Sequence, residues 1–166
     1  MDSTSWFPAY VALGSNQDDP PGQVARAFAA LEGLRGCRMV ARSSLYRSRP
    51  FGPVEQPDFV NAVAGMLTTL GAAAMLTELK ALEECLGRER PVVRWGPRRI
   101  DLDLLVHGAT RVDEPQLKVP HPGITERAFV LAPLAEIAPD LEVPGAGRVR
   151  TLAARIDTAG LSRMPA

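Results

Sequence analysis

From Ile100 to Leu104 the chain alternates strictly between aliphatic and acidic residues, Ile100-Asp101-Leu102-Asp103-Leu104. Successive side chains of a strand point to opposite faces, whereas a helix would scatter these five around its circumference. The pattern therefore demands a strand, predicted over 100–106, with one face against an apolar layer and the other open to two like charges. Asp101 and Asp103 then stand about 6.6 Å apart along one face. Such a pair either raises one carboxyl pKa or recruits a cation, and oxygen-only ligation with room for phosphate oxygens suits magnesium better than zinc. Two carboxylates on a solvated strand face are the plain structural alternative.

The flanking segments set the fold. Residues 9–13, Ala-Tyr-Val-Ala-Leu, closed by Gly14-Ser15-Asn16, read as a buried strand entering a turn. A helix follows, with Asp19 as its cap, Pro20 or Pro21 in its first position, and Val24, Phe28 and Leu31 on one face; Gly33 and Gly36 end it. Residues 38–48 and 59–70 read as strands around a stiff Pro-rich loop. Ala72 to Leu86 reads as a second helix with Leu76, Leu79, Leu82 and Leu86 on its apolar face and Gly87 past its end. Residues 88–99 form a loop rich in arginine and proline, and a short helix containing Pro133 is predicted from Arg127 to Ile137. The order strand, helix, strand, strand, helix, strand predicts an α+β, ferredoxin-like fold: a four-stranded antiparallel sheet, helices packed on one face, and long loops. All of 1–166 is expected to form a single domain, with 1–8 and 159–166 as loose ends.

Global properties narrow the function. A formal net charge of zero, with 46% hydrophobic and 23% charged residues, gives no general attraction to nucleic acid or membranes and no signature of disorder. Any basic site has to be local. Cys37 and Cys85 lie far apart without metal-ligand spacing, and the N-terminus lacks a basic start or a long apolar run, so a cytoplasmic protein is expected.

A local basic site is present just before the acidic strand. Arg88, Arg90, Arg94, Arg98 and Arg99 crowd one proline-containing loop, and arginine's planar fork suits phosphate oxygens. Arginines beside paired carboxylates are what a magnesium–nucleoside triphosphate needs, although they would also serve simply to neutralise the acids. Glu83 projects toward the apolar side of the second helix in its last turn, where its charge opposes the helix dipole; pairing with Arg88 or Arg90 and contact with nucleotide are both open to it. Asn61, between Phe59 and Val63 on its strand face, needs hydrogen-bond partners if buried, and a flat heterocycle stacked on aromatics would supply them. Phe51, Phe59 and Phe129 could be that stack or ordinary core. His121, between Pro120 and Pro122, lies outside any helix interior, and His107 reads as structural. No GxxxxGK[ST], GxSxG or HExxH motif occurs.

Together these segments resemble the 6-hydroxymethyl-7,8-dihydropterin pyrophosphokinases of folate biosynthesis. The likeness runs through ALGSN (12–16), SSLYRSRPFGPVEQPDFVNAV (43–63), ELKALEECLGRER (78–90), RWGPRRIDLDLLVHG (94–108) and VPHPGITERAFVLAPLAEIAPDL (119–141). It implies a ferredoxin-like enzyme whose loops close over ATP and pterin. By residue matching, Asp101 and Asp103 hold two magnesium ions and, with Arg88 and Arg98, form the catalytic set. Lys80, Glu83, Arg88, Arg90, Arg94, Arg98, His121 and Arg127 match nucleotide positions. Ser48, Arg49, Phe51, Phe59, Asn61, Trp95 and Phe129 match the pterin pocket. Phe59 stands where the family can have tyrosine, Lys80 where glutamine also occurs, and Pro122 where some members carry an aromatic.

The resemblance implies transfer of pyrophosphate from ATP to the pterin hydroxymethyl group, releasing AMP. The expected partners are these small molecules, with no nucleic acid or membrane, and the expected state is a monomer. The rival is a ferredoxin-like nucleic-acid or nucleotide-binding module without transferase activity. It would require an aromatic strand and a basic face, in place of paired carboxylates and a neutral chain.

Overall fold

The structure, a computed structural model, describes residues 4–50, 53, 55–87 and 99–165. Its elements in chain order are β1 (Phe7–Ser15), α1 (Pro20–Glu32), β2 (Cys37–Arg42), β3 (Tyr46–Ser48), β4 (Phe59–Thr68), α2 (Ala72–Leu86) and β5 (Asp101–His107). The hairpin β6 (Val112–Glu114) and β7 (Leu117–Val119) follows, then a 3-10 turn at Ile124–Glu126 and α3 (Ala128–Ile137). The hairpin β8 (Glu142–Val143) and β9 (Gly147–Arg148), α4 (Val149–Arg155) and β10 (Leu161–Arg163) complete the chain.

β4 and β5 flank β1, both antiparallel to it. The outer partner of β4 is a broken strand, β2 along one half and β3 along the other. This is the ferredoxin-like frame, and it is wider than the four strands read from sequence: the break divides one expected strand, and β10 adds beyond β3 to give a six-stranded sheet. The ends are also tied in further than expected. β1 begins at Phe7, paired with Thr68, and Leu161 and Arg163 of β10 face Ser48 and Tyr46.

Helices cover both faces of the sheet, not one. α1 and α2 bury Val24, Phe28, Leu31, Met75 and Leu79 against Val11, Leu13, Ala62, Leu102 and Leu104. On the reverse, Val130, Leu131 and Leu134 of α3 and Val149 of α4 pack on Val63, Leu105 and Val106. Each fully buried leucine or valine contributes about 1.5–3 kcal/mol, enough for the ten-residue α3 to hold a layer of its own despite Pro133. Two covered faces explain why β4 is buried almost without interruption.

Local details differ from the sequence reading in two places. Asp19 sits at the N-cap of α1 with φ 64° and makes no side-chain cap bond; Gln23 instead donates through Nε2 to the Asp18 carbonyl at 3.0 Å. The buried stripe of α2 includes Met75, with Leu79, in place of Leu76.

Candidate active site

The reverse face of the sheet is left uncovered toward one end, beyond the first turn of α3. Register decides what stands there. Gly14 pairs with Asn61 on one side and Asp101 on the other, and Ala12 pairs with Val63 and Asp103. β1 thus presents only a hydrogen and a methyl group between two strands with functional side chains. A cavity of about 360 Å³ forms over this floor.

One wall is acidic. Asp101 and Asp103 line the cavity, while the intervening Leu102 is fully buried on the opposite face. The register of β1 against β5 shifts between Tyr10 and Val11, leaving Leu105 as an extra residue. Alternation puts Leu105 on the cavity side with the aspartates, and the extra residue leaves Val106 on that face as well and turns His107 to the far side. There His107 is buried, with Nε2 2.8 Å from the Leu70 carbonyl and Nδ1 3.1 Å from Thr110 Oγ1, a structural histidine.

Leu105 also anchors a second cavity residue, because its carbonyl accepts the His121 amide at 2.8 Å. The Gly123 amide donates to His121 Nδ1 at 2.9 Å, so in the neutral ring the proton sits on Nε2. Burial pushes the imidazole pKa down; the Asp103 charge pulls it up, the Arg127 charge pushes it down, and the net direction is down. Arg127 lines the same cavity and lies 5.8 Å from the centre of the Phe129 ring.

The other wall is aromatic and amide. Phe59 opens β4, Phe129 lies in the first turn of α3, and both line the cavity. Asn61 is buried between them and the floor, donating from Nδ2 to Ser48 Oγ at 2.8 Å. That bond orients the amide across the strands. Arg49 and Gln56 complete the rim. Gln56 is tied back by Asn16, whose Nδ2 donates to Gln56 Oε1 at 2.8 Å and to the Pro57 carbonyl at 3.3 Å.

Two predicted residues lie near the cavity but not among its lining. Glu83 reaches from α2 to the free edge of β5, where its Oε2 accepts the Leu102 amide at 2.9 Å. Lys80, on the solvent side, places Nζ 3.6 Å from Glu83 Oε1. Burial pushes the Glu83 carboxyl up; the Leu102 bond and Lys80 oppose this, Asp101 and Asp103 add to it, and the result is a raised pKa. Arg99, just before the acidic strand, pairs through Nε with Asp18 at 3.0 Å.

The structure therefore brings together Ser48, Arg49, Phe59, Asn61, Asp101, Asp103, His121, Arg127 and Phe129 around one cavity. Phe51, Arg88, Arg90, Arg94, Trp95 and Arg98 lie outside the described residues. Sequence reasoning missed the floor, Ala12 and Gly14, and the apolar lining from Leu105 and Val130. Ala12 in the predicted strand and Gly14 just past its predicted end, two small residues that β1 in fact carries on one face, were the available signal.

Comparison with known proteins identifies the family. The family model of 7,8-dihydro-6-hydroxymethylpterin-pyrophosphokinase (HPPK) matches residues 10–139. The 2-amino-4-hydroxy-6-hydroxymethyldihydropteridine pyrophosphokinase of Pseudomonas aeruginosa is 47% identical over 94% of this chain and 96% of its own length. The Methylorubrum extorquens protein of the same name is 43% identical over 94% of this chain and 98% of its own. Among solved structures, wild-type Plasmodium falciparum HPPK-DHPS with pteroate superposes with a TM-score of 0.72 at 14% identity. It matches 93% of this chain, which spans 43% of that longer one, and at such identity the likeness speaks for the fold alone. The family match across the acidic strand, the amide strand and the first turns of α3, together with the curated relatives, establishes that this chain belongs to the 7,8-dihydro-6-hydroxymethylpterin-pyrophosphokinase family.

Proposed function

We propose that the chain transfers pyrophosphate from ATP to 6-hydroxymethyl-7,8-dihydropterin, giving AMP and the pterin diphosphate, with both substrates meeting in the cavity over Gly14. The observation that carries this reading is the sharing of one cavity by a carboxylate pair and by an amide flanked by two phenylalanines. Side chains suited to phosphate chemistry and side chains suited to a flat heterocycle thus share one cavity.

The pterin ring fits the wall of Phe59 and Phe129, where stacking supplies affinity and the Asn61 amide, held by Ser48, reads the polar ring edge. Arg49 lies on the same rim. Phe51 and Trp95 join this set by the family pattern.

The acidic wall fits a hard cation. Asp101 and Asp103 offer carboxylate oxygens into an open cavity, and among the described residues no third acid, histidine or cysteine closes the set. That leaves positions for phosphate oxygens and water, as magnesium requires. We read Asp101 and Asp103 as the holders of two magnesium ions, which supply charge neutralisation for the triphosphate when bound.

The remaining work is positioning. The hydroxymethyl oxygen attacks the β-phosphorus as the bond to the α-phosphate oxygen breaks. His121, neutral with its Nε2 proton available, and Arg127 offer donors from the cavity side to phosphate oxygens. By the family pattern Arg88, Arg90, Arg94 and Arg98 add positive charge, while Glu83 and Lys80 flank the nucleotide. The chain is read as a cytoplasmic monomer acting on these small molecules. Among the described residues no helix is long and apolar enough to cross a membrane. The two carboxylates on the open face of β5 count against the nucleic-acid rival.

Incubation with ATP, magnesium and the reduced hydroxymethyl pterin, followed by identification of the nucleotide product, tests the reading. AMP appearing only when pterin is present supports it; ADP, free phosphate or no turnover overturns it.

A further inference from the structure

The two aromatic walls belong to different layers. Phe59 is on β4 in the sheet, and Phe129 is on α3, which rests on the sheet through aliphatic contacts. Hydrophobic burial is non-directional, so those contacts resist separation of the layers much better than sliding. Stacking on both faces of a ring is sensitive to displacements of about 0.5 Å. Something directional has to set the spacing.

One carboxylate is placed to do so. Glu136 lies seven residues after Phe129, two helical turns away on the same side of α3. Its Oε2 accepts the Ser44 amide at 2.9 Å and the Ser44 hydroxyl at 3.1 Å, and its Oε1 accepts the Tyr46 hydroxyl at 2.7 Å. Arg163 of β10 braces the group, with Nη2 3.7 Å from Oε2 and Nε donating to Ser44 Oγ at 3.0 Å. Tyr46 is in turn the register partner of Asn61, and Ser48, two residues on, is that of Phe59. The bonds thus run from α3 into the strand that supports both the reading amide and one aromatic wall.

We infer that Glu136 is a positioning residue for the pterin subsite: by bonding Ser44 and Tyr46 it locks α3 in rotation and translation against β3, and so sets Phe129 opposite Phe59. This rests on the assignment of that wall to the pterin. The acidic wall, built on β5, is outside the lock; of the described residues matched to the nucleotide only Arg127, at the N-cap of α3, rides on the helix, so nucleotide binding should respond much less than pterin binding.

Steady-state kinetics on the full chain test this by comparing KM for pterin with KM for ATP. Glu136→Ala and Tyr46→Phe are expected to raise the pterin KM by about tenfold and about threefold, on the scale of one or two lost hydrogen bonds. The ATP KM should stay within about twofold, and Glu136→Gln, which still accepts bonds through its amide oxygen, should recover most of the pterin KM. Should Glu136→Ala not fold, Tyr46→Phe removes a single oxygen and carries the same test. Equal rises in both KM values, or a lowered melting temperature with unchanged pterin KM, would overturn the inference. Phe59→Ala serves as the control. If it raises the pterin KM and the Glu136 and Tyr46 variants do not, only the positioning role is lost; if it has no effect either, the pterin subsite itself is wrongly placed and the inference falls with it.

Discussion

Gly14 stands directly opposite Asn61 in the β1–β4 ladder, and a Cβ added at Gly14 would come within 3.0 Å of Asn61 Oδ1. The requirement is for space and not for an unusual backbone, since the residue belongs to a regular strand. The amide that closes the cavity floor is thereby held between Ser48 on one side and the bare surface of Gly14 on the other.

Gly14→Ala should therefore disturb the site with little effect on the fold. The added methyl has to push the Asn61 oxygen aside by a few tenths of an ångström, turning its amide away from Ser48. We expect the pterin KM to rise by about tenfold, in line with a misplaced hydrogen-bonding group, while the melting temperature changes by less than about 3 °C. An unchanged KM would show that the amide does not read the ring.

The acidic pair should be essential for turnover and dispensable for folding. Asp101→Ala and Asp103→Ala are expected to lower AMP formation by about 100-fold or more, the scale seen when one electrostatic contact to a reacting centre is lost. Both side chains face the cavity and not the aliphatic layer under Leu102, so circular dichroism and thermal melts should resemble wild type. Collapse of either variant would mean that the carboxylates are structural.

Glu83 provides a test on the edge of the same strand. Its carboxyl pKa is raised, chiefly by burial, so the folded state takes up a proton more readily than the unfolded chain. The cost of keeping it ionised is absent below the ordinary value of 4.5 and grows as pH rises from there through the raised value. Glu83→Gln retains an oxygen for the Leu102 amide and should raise the melting temperature of the ligand-free protein by about 2–4 °C at neutral pH. The gain should vanish in melts below about pH 4.5. A stabilisation that is the same at both pH values would contradict this account.

The contact between α3 and β3 should be visible in stability against pH. Burial pushes the Glu136 carboxyl up, but the Tyr46 hydroxyl, both Ser44 donors and Arg163 outweigh it and hold the pKa below the usual range. Its stabilisation is then full above 4.5 and lost as pH falls through the depressed value. Burial, then the bond to Glu136 and its charge, push Tyr46 up to about 12 from 10. That contribution is full below pH 10 and lost as pH rises toward about 12. Relative to wild type, Glu136→Gln should flatten the acid limb and Tyr46→Phe the alkaline limb, each at a cost of about 1 kcal/mol near neutrality. Parallel profiles would remove the coupling.

Much of the site was legible because its chemistry is periodic. Asp101 and Asp103 alternate with aliphatics over a span short enough for strand geometry alone to put them on one face, and Asn61 between Phe59 and Val63 is conspicuous for the same reason. Glu83 was noticeable as a charge on an apolar helix face; its expected partners Arg88 and Arg90 lie outside the described residues, and the Leu102 amide it accepts at the sheet edge is a group with no mark in the sequence. The expected cap at Asp19 failed because its left-handed backbone leaves the side chain without a cap bond.

What the sequence determined by itself was the order and type of the central elements and the facing of each side chain within its own strand or helix, because these follow from local periodicity and backbone sterics. The tertiary structure alone decided which strands are neighbours, and hence that Asp101 and Asn61 meet across Gly14. It also decided that α3 and α4 cover the reverse face and that β10 joins the edge of β3. Pairing partners are chosen by the summed burial of two apolar faces, and that sum is a property of the whole chain. The two carboxylates of Ile100-Asp101-Leu102-Asp103-Leu104 were readable as a pair; the floor, the amide and the aromatic walls that make them part of a cavity exist only once the strands are assembled.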